Sequence, residues 1–89
     1  MRAIVTVIGK DRVGIIADVT ALLARHGVNV LDISQTVLQE YFTMIMLVDA
    51  SGCTVPFAEL TQTLDAAGEA LALKIRAQRE DIFNAMHTI

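Results

Sequence analysis

Gly9-Lys10-Asp11-Arg12-Val13-Gly14 separates two segments of opposite character. Before it, Arg2-Ala3-Ile4-Val5-Thr6-Val7-Ile8 is short, β-branched and nearly free of charge, which predicts a buried strand. After it, Ile15, Ile16, Val19, Leu22 and Leu23 recur at helical spacing, with Asp18, Ala21 and Arg25 between them. The hexapeptide is therefore a turn from strand to helix. Gly14 has no Cβ, so backbone N–H groups there can approach whatever sits above the helix start. Such a start also attracts anions, and a small-molecule carboxylate is the expected guest. Two structural readings stand beside this one: Asp11 as a helix cap, and Gly14 as a point of close helix–sheet packing. The spacing from Gly9 to Gly14 is that of a phosphate-binding loop, but Ile15-Ile16 stands where Lys followed by Ser or Thr is needed. Nucleotide binding is excluded on that ground.

Further along, Arg25-His26-Gly27 should end the helix, with cations in the last turn and Gly27 in the left-handed position. The segment from Val28 to Gln39 reads as a long strand, and its changing phase of alternation predicts a bulge. Gln39-Glu40-Tyr41 is a short turn, and Phe42 to Val48 completes a hairpin. In that last strand Phe42, Met44, Met46 and Val48 point one way, and Thr43, Ile45 and Leu47 the other. Both faces are apolar; the domain's own helices can cover one. A loop from Asp49 to Val55 leads to Pro56 at a first helical position. Phe57, Leu60, Leu64, Ala67 and Leu71 then form the stripe of a second helix, whose end Gly68 weakens. Leu73, Ile75 and Ala77 alternate with Lys74, Arg76 and Gln78, as in an edge strand with one wet face. Asp81 is placed to cap a short C-terminal helix over Ile82 to Met86. The order predicts an α+β, ferredoxin-like βαββαβ sandwich: a four-stranded antiparallel sheet, two helices on one face, and the short C-terminal helix. A single domain is expected over residues 1–89.

Composition narrows the function. The chain is 54% hydrophobic and 19% charged, too apolar for a disordered segment and rather apolar for a small monomer. A homodimer is expected to cover the excess, either with sheets joined edge to edge or with bare faces packed together. A net charge of −3 without a basic run excludes nucleic acid. No long apolar run and no signal peptide occur, so no membrane partner and a cytoplasmic setting are expected; the single Cys53 fits a reducing compartment. His26 and His87 lack companions at ligand spacing, and no Ser or Cys stands in a nucleophile motif. No metal, cofactor, catalytic residue or enzymatic activity is expected. What remains is Asn29 at the start of the second strand. It is either a turn residue after Gly27, or an amide whose donor and acceptor suit a zwitterion. With Asp11 it would frame a small polar pocket, inside one subunit or across a dimer.

Lys10-Asp11-Arg12-Val13-Gly14-Ile15, then a helix, then Gly27-Val28-Asn29-Val30, resembles the ACT domain. The resemblance runs through Leu31-Asp32-Ile33-Ser34-Gln35-Thr36 and Phe42-Thr43-Met44-Ile45-Met46 to the tail Ile82-Phe83-Asn84-Ala85-Met86-His87. It is to the uncharacterised small single-ACT proteins of bacteria and archaea. The Asp-Arg-x-Gly turn is similar to that in ACT segments of formyltetrahydrofolate deformylase and of the glycine-cleavage repressor. The resemblance implies a regulatory module that binds amino acids, usually at subunit interfaces. Gly14 matches the family glycine that approaches the ligand, and Asn29 the asparagine that contacts it in serine-binding members. Asp11 stands where those members often carry Asn, Gly9 where some carry His, and Val13 replaces a common Pro. The implied ligand site is Asp11, Arg12, Val13, Gly14, Ile15 and Asn29. Asp11 favours a cationic group such as an α-amino group. The expected function is a dimeric amino-acid sensor that acts allosterically on a separate, unknown protein. The alternative is a ligand-free interaction module using the apolar sheet face.

Overall fold

The computed structural model describes residues 1–82. Strand β1 (Arg2–Lys10) leads into helix α1 (Ile15–Arg25). A hairpin of β2 (Asn29–Leu38) and β3 (Tyr41–Asp49) follows, then helix α2 (Phe57–Ala70) and strand β4 (Leu73–Arg79). All pairings are antiparallel and the strand order is β2-β3-β1-β4. The expected ferredoxin-like βαββαβ sandwich is therefore what forms. Residues 80–82 turn helical one residue before Asp81, so the expected cap already lies inside the turn. The rest of the expected C-terminal helix, from residue 83 on, lies outside the described residues.

The core lies between the sheet and the two helices. From β1 it takes Ala3, Val5 and Val7, and from β3 Phe42, Met44, Met46 and Val48, each at most 4% exposed. Ile15, Val19, Leu22 and Leu23 close it from α1, and Leu60 and Leu64 from α2. Among the described residues the other sheet face is open. Register sets Ile4 beside Leu47, Thr6 beside Ile45 and Ile8 beside Thr43, and no helix of the described residues covers them. Ile8 and Ile45 remain nearly half exposed. The strand with two apolar faces is thus as expected, with one face packed and the other bare.

α1 ends as its sequence requires. The Val28 N–H donates to the Leu23 carbonyl at 3.0 Å and the Gly27 N–H to the Ala24 carbonyl at 3.1 Å. This is the six-to-one and five-to-two pair of a Schellman ending, with buried Leu23 and Val28 as its apolar contact. His26 Nδ1 lies 2.9 Å from the Leu22 carbonyl, so this ring belongs to the helix end. The Thr54 N–H donates to the His26 carbonyl, which ties the β3–α2 loop to the same place. Cys53 in that loop is half-buried against the core. The bulge in β2 falls between Val30 and Asp32. After it, Ile33, Gln35 and Val37 share the helix-side face with Met46, Met44 and Phe42. Two expectations shift slightly. β1 continues through Gly9 and Lys10, shortening the turn, and Pro56 occupies the position just before α2 rather than its first turn.

Candidate functional site

The turn from β1 to α1 is held at one end of the sheet. Lys10 pairs with Tyr41, and the Asp11 N–H donates to the Glu40 carbonyl at 2.7 Å. Asp11 is therefore anchored to the tip of the β2–β3 hairpin. It does not cap α1: Gly14 occupies the cap position with φ +92°, and no side chain bonds to it. Asp11 stands three residues upstream, tied elsewhere. The first helical bond is the Asp18 N–H to the Gly14 carbonyl, 2.9 Å, so by helix geometry the N–H groups just before it have no carbonyl within the helix. A Cβ on Gly14 would meet only an Arg12 nitrogen, 3.9 Å away. Close helix–sheet packing is therefore not what Gly14 provides. The glycine serves the backbone angle and leaves the space above it open.

Arg12 folds back over this turn. Its Nη1 donates to the Val13 carbonyl and to the Asp18 carboxylate, both at 3.2 Å. Both partners of the ion pair are substantially exposed, so the pair adds little stability. It does hold a guanidinium beside the helix start, where the backbone dipole is already positive.

The helix layer leaves β2 largely exposed beyond Val30, which packs against the core. Ile33 and Val37, although on the helix side, remain 39% and 50% exposed. Between α1 and β2 runs a groove of about 530 Å³. Ile15 and Phe42, both nearly fully buried, form its floor; Ile16, Ala17 and Val37 are further hydrocarbon lining. Its polar side chains are Asp11, Arg12 and Gln35.

Of the residues expected at a site, Asp11, Arg12, Gly14 and Ile15 line this groove together. Val13 is almost fully exposed and does not line it. Asn29 does not reach it either. It begins β2 opposite Asp49, at the far end of the sheet, with the 11 residues of α1 between it and Gly14, or about 16 Å of helix. Asp11 and Asn29 of one subunit are thus too far apart to frame a pocket together. Sequence reasoning missed Gln35, Val37 and Phe42. The signal for Gln35 and Val37 was the phase of β2 after its bulge and for Phe42 the inward phase of β3, but those patterns do not say that α1 leaves a groove beside β2. Among the described residues, no group of three or more His, Cys, Asp or Glu is placed to hold a metal ion, and no helix is long and apolar enough to cross a membrane.

The model of the ACT domain family matches residues 2–78. The chain belongs to the ACT domain family. This ACT domain is 54% identical over 89 residues to a UPF0237 protein of Clostridium acetobutylicum, with both chains fully covered. It is 50% identical over 88 residues to a UPF0237 protein of the archaeon Methanocaldococcus jannaschii, covering 99% of this chain and 98% of the relative. Among solved structures, an ACT domain protein from Streptococcus pneumoniae superposes with a TM-score of 0.83 at 47% identity, covering 98% of each chain. The resemblance seen in the turn thus extends over the chain, and the family it points to is a regulatory one.

Proposed function

We propose that this ACT domain is a stand-alone, non-enzymatic sensor in the cytoplasm. The whole chain works as one unit. It binds a free amino acid as a homodimer and passes the signal allosterically to a separate protein. The observation that carries the reading is the groove between α1 and β2, where Asp11, Arg12, Gly14 and Ile15 come together. A carboxylate is favoured at the start of α1, which carries positive dipole and the Arg12 guanidinium. An ammonium is favoured by Asp11. A zwitterion offers both.

The dimer is proposed through β2. That edge runs for ten residues with one charge, Asp32, and without Lys or Pro. The opposite edge, β4, carries Lys74, Arg76 and Arg79. Charged edges resist strand pairing and bare ones invite it. If β2 pairs antiparallel with its own copy about a two-fold axis at Ser34, the bulge between Val30 and Asp32 shifts the register so that the partner's Asn29 falls opposite Leu38. That position is beside the hairpin tip to which Asp11 is bound. The pairing thus brings the partner's Asn29 to the end of the sheet where the site lies.

A melting screen against the amino acids tests this reading. A ligand at a hundred times its Kd adds about 2.7 kcal/mol by mass action, which moves the transition of so small a domain by several degrees. The expected particle has twice the 9.7 kDa of one chain. Light scattering that finds only a 9.7 kDa species at micromolar concentration sinks the dimer. The second reading, an interaction module without a ligand, is favoured by the open sheet face around Ile8 and Ile45. It predicts no shift with any amino acid.

A further inference from the structure

The groove between α1 and β2 has a composition that goes beyond accommodating a zwitterion. Ile15, Ile16, Ala17, Val37 and Phe42 line it, and no hydroxyl side chain does. Its charged side chains are one carboxylate, Asp11, and one guanidinium, Arg12, on the same turn. We propose, resting on the amino-acid reading above, that the site selects amino acids with an aliphatic side chain, of the size of valine, leucine or isoleucine, over glycine and serine.

The argument is one of matching chemistry. The two charges at the turn correspond to the two charges that every free amino acid carries, so they do not discriminate among side chains. Discrimination falls to the rest of the groove. A hydrocarbon side chain resting on Ile15 and Phe42, against Val37, removes apolar surface from water on both partners. Each methylene fully buried is worth about fourfold in affinity. A serine hydroxyl against the same walls finds, apart from the two charged side chains of the turn, only the Gln35 amide as a side-chain partner, and a polar group buried without a hydrogen bond weakens binding. The volume, about 530 Å³, lies within the ordinary range of small-ligand sites. Val37 and Ile16 flank the buried floor and are themselves partly exposed. They can therefore be changed without opening the core.

The experiment is calorimetric titration of the full chain with glycine, alanine, serine, valine, leucine and isoleucine, repeated on Val37→Ser and Ile16→Ser. The aliphatic ligands should bind at least tenfold more tightly than glycine, with serine no better than alanine. Val37→Ser should weaken leucine several-fold and leave glycine unchanged. Ile16→Ser gives the same comparison should the β2 variant fold poorly, which its melting curve reports before any ligand is added. If glycine or serine binds as tightly as leucine, or both variants leave the preference intact, selection by the groove is overturned while the amino-acid site stands. If none of the six binds at millimolar concentration, aliphatic selection falls, and the amino-acid reading falls with it if the melting screen finds no other amino acid.

Discussion

Helix α1 begins and ends on a glycine with left-handed backbone, yet the two ends have opposite surroundings. At the C-terminal end Gly27, with φ +75°, is pressed against the Gly52 carbonyl, into which any Cβ would run. The last turn there is closed by the Schellman bonds, the His26 ring and the bond from Thr54. At the N-terminal end Gly14, with φ +92°, has open space above it. No side chain caps that end, and one wall of the neighbouring groove is a largely exposed strand. One end is finished by the fold. The other leaves backbone donors and a cavity for something outside the chain. The same residue type thus supports structure at one end and access at the other, and neighbouring atoms decide which.

Substitutions at the two glycines should separate these roles, and the largest effect is expected at Gly27. Gly27→Ala adds left-handed strain of about 1–2 kcal/mol to a clash with the Gly52 backbone. A total of about 3 kcal/mol is expected, a large part of the stability of a small domain. Denaturant unfolding measures it, and a loss below about 1 kcal/mol would mean that the loop around Gly52 yields freely. Gly14→Ala has only the strain to bear, so about 1–2 kcal/mol is expected in the same experiment. Its main signature is weaker binding of whichever amino acid the melting screen identifies. A variant with unchanged melting and unchanged ligand response would make this turn an ordinary one.

Asn29 connects the two ends, because it follows the closed end of its own chain and, in the proposed dimer, reaches the open end of the partner. Its side chain is exposed in the subunit, so Asn29→Ala should scarcely change melting without ligand. Loss of one or two hydrogen bonds, about 1 kcal/mol each, should weaken the amino acid about tenfold. Lowered stability with unchanged affinity would leave Asn29 as a turn residue only. The smallest effect is expected at Asp49, beyond the closed end. Its carboxyl accepts from the Ser51 N–H at 2.9 Å and lies 3.5 Å from the Met1 ammonium. Its pKa is held below the ordinary 3.8 by hydrogen bonds from Ser51 first and by the N-terminal charge after them. A carboxyl with a lowered folded value stabilises above its unfolded value, and that contribution is lost as pH falls through the folded one. Asp49→Asn should therefore leave stability near neutrality slightly reduced and make it fall less steeply below about pH 4, as acid titration of the melting temperature would show.

Much of this architecture was legible in local pattern. The two periodicities located the six elements, and Gly27 marked the end of α1. The shift of phase in β2 announced its bulge, and Phe42 to Val48 announced a sheet with one packed and one bare face. Four site residues, Asp11, Arg12, Gly14 and Ile15, could be placed together because they are neighbours in the chain. Gln35, Val37 and Phe42 could not, since they meet that turn only across the sheet. Two local inferences failed for the same reason. Asp11 reads as a cap, but its backbone is bound to the hairpin tip at Glu40. Gly14 reads as a packing glycine, but the space above it is open.

By itself the sequence determined the order of strands and helices, the apolar stripe of each helix and the left-handed ending of α1 at Gly27. These depend on side-chain period and on φ, which are properties of a few consecutive residues. Only the tertiary structure decided that β2 lies at an edge and stays largely exposed beyond its bulge, that a groove with hydrocarbon lining results between it and α1, and that Asn29 stands a helix-length from Gly14. Those are consequences of strand order and of where the helices rest on the sheet, and they are set by contacts between residues far apart in the chain.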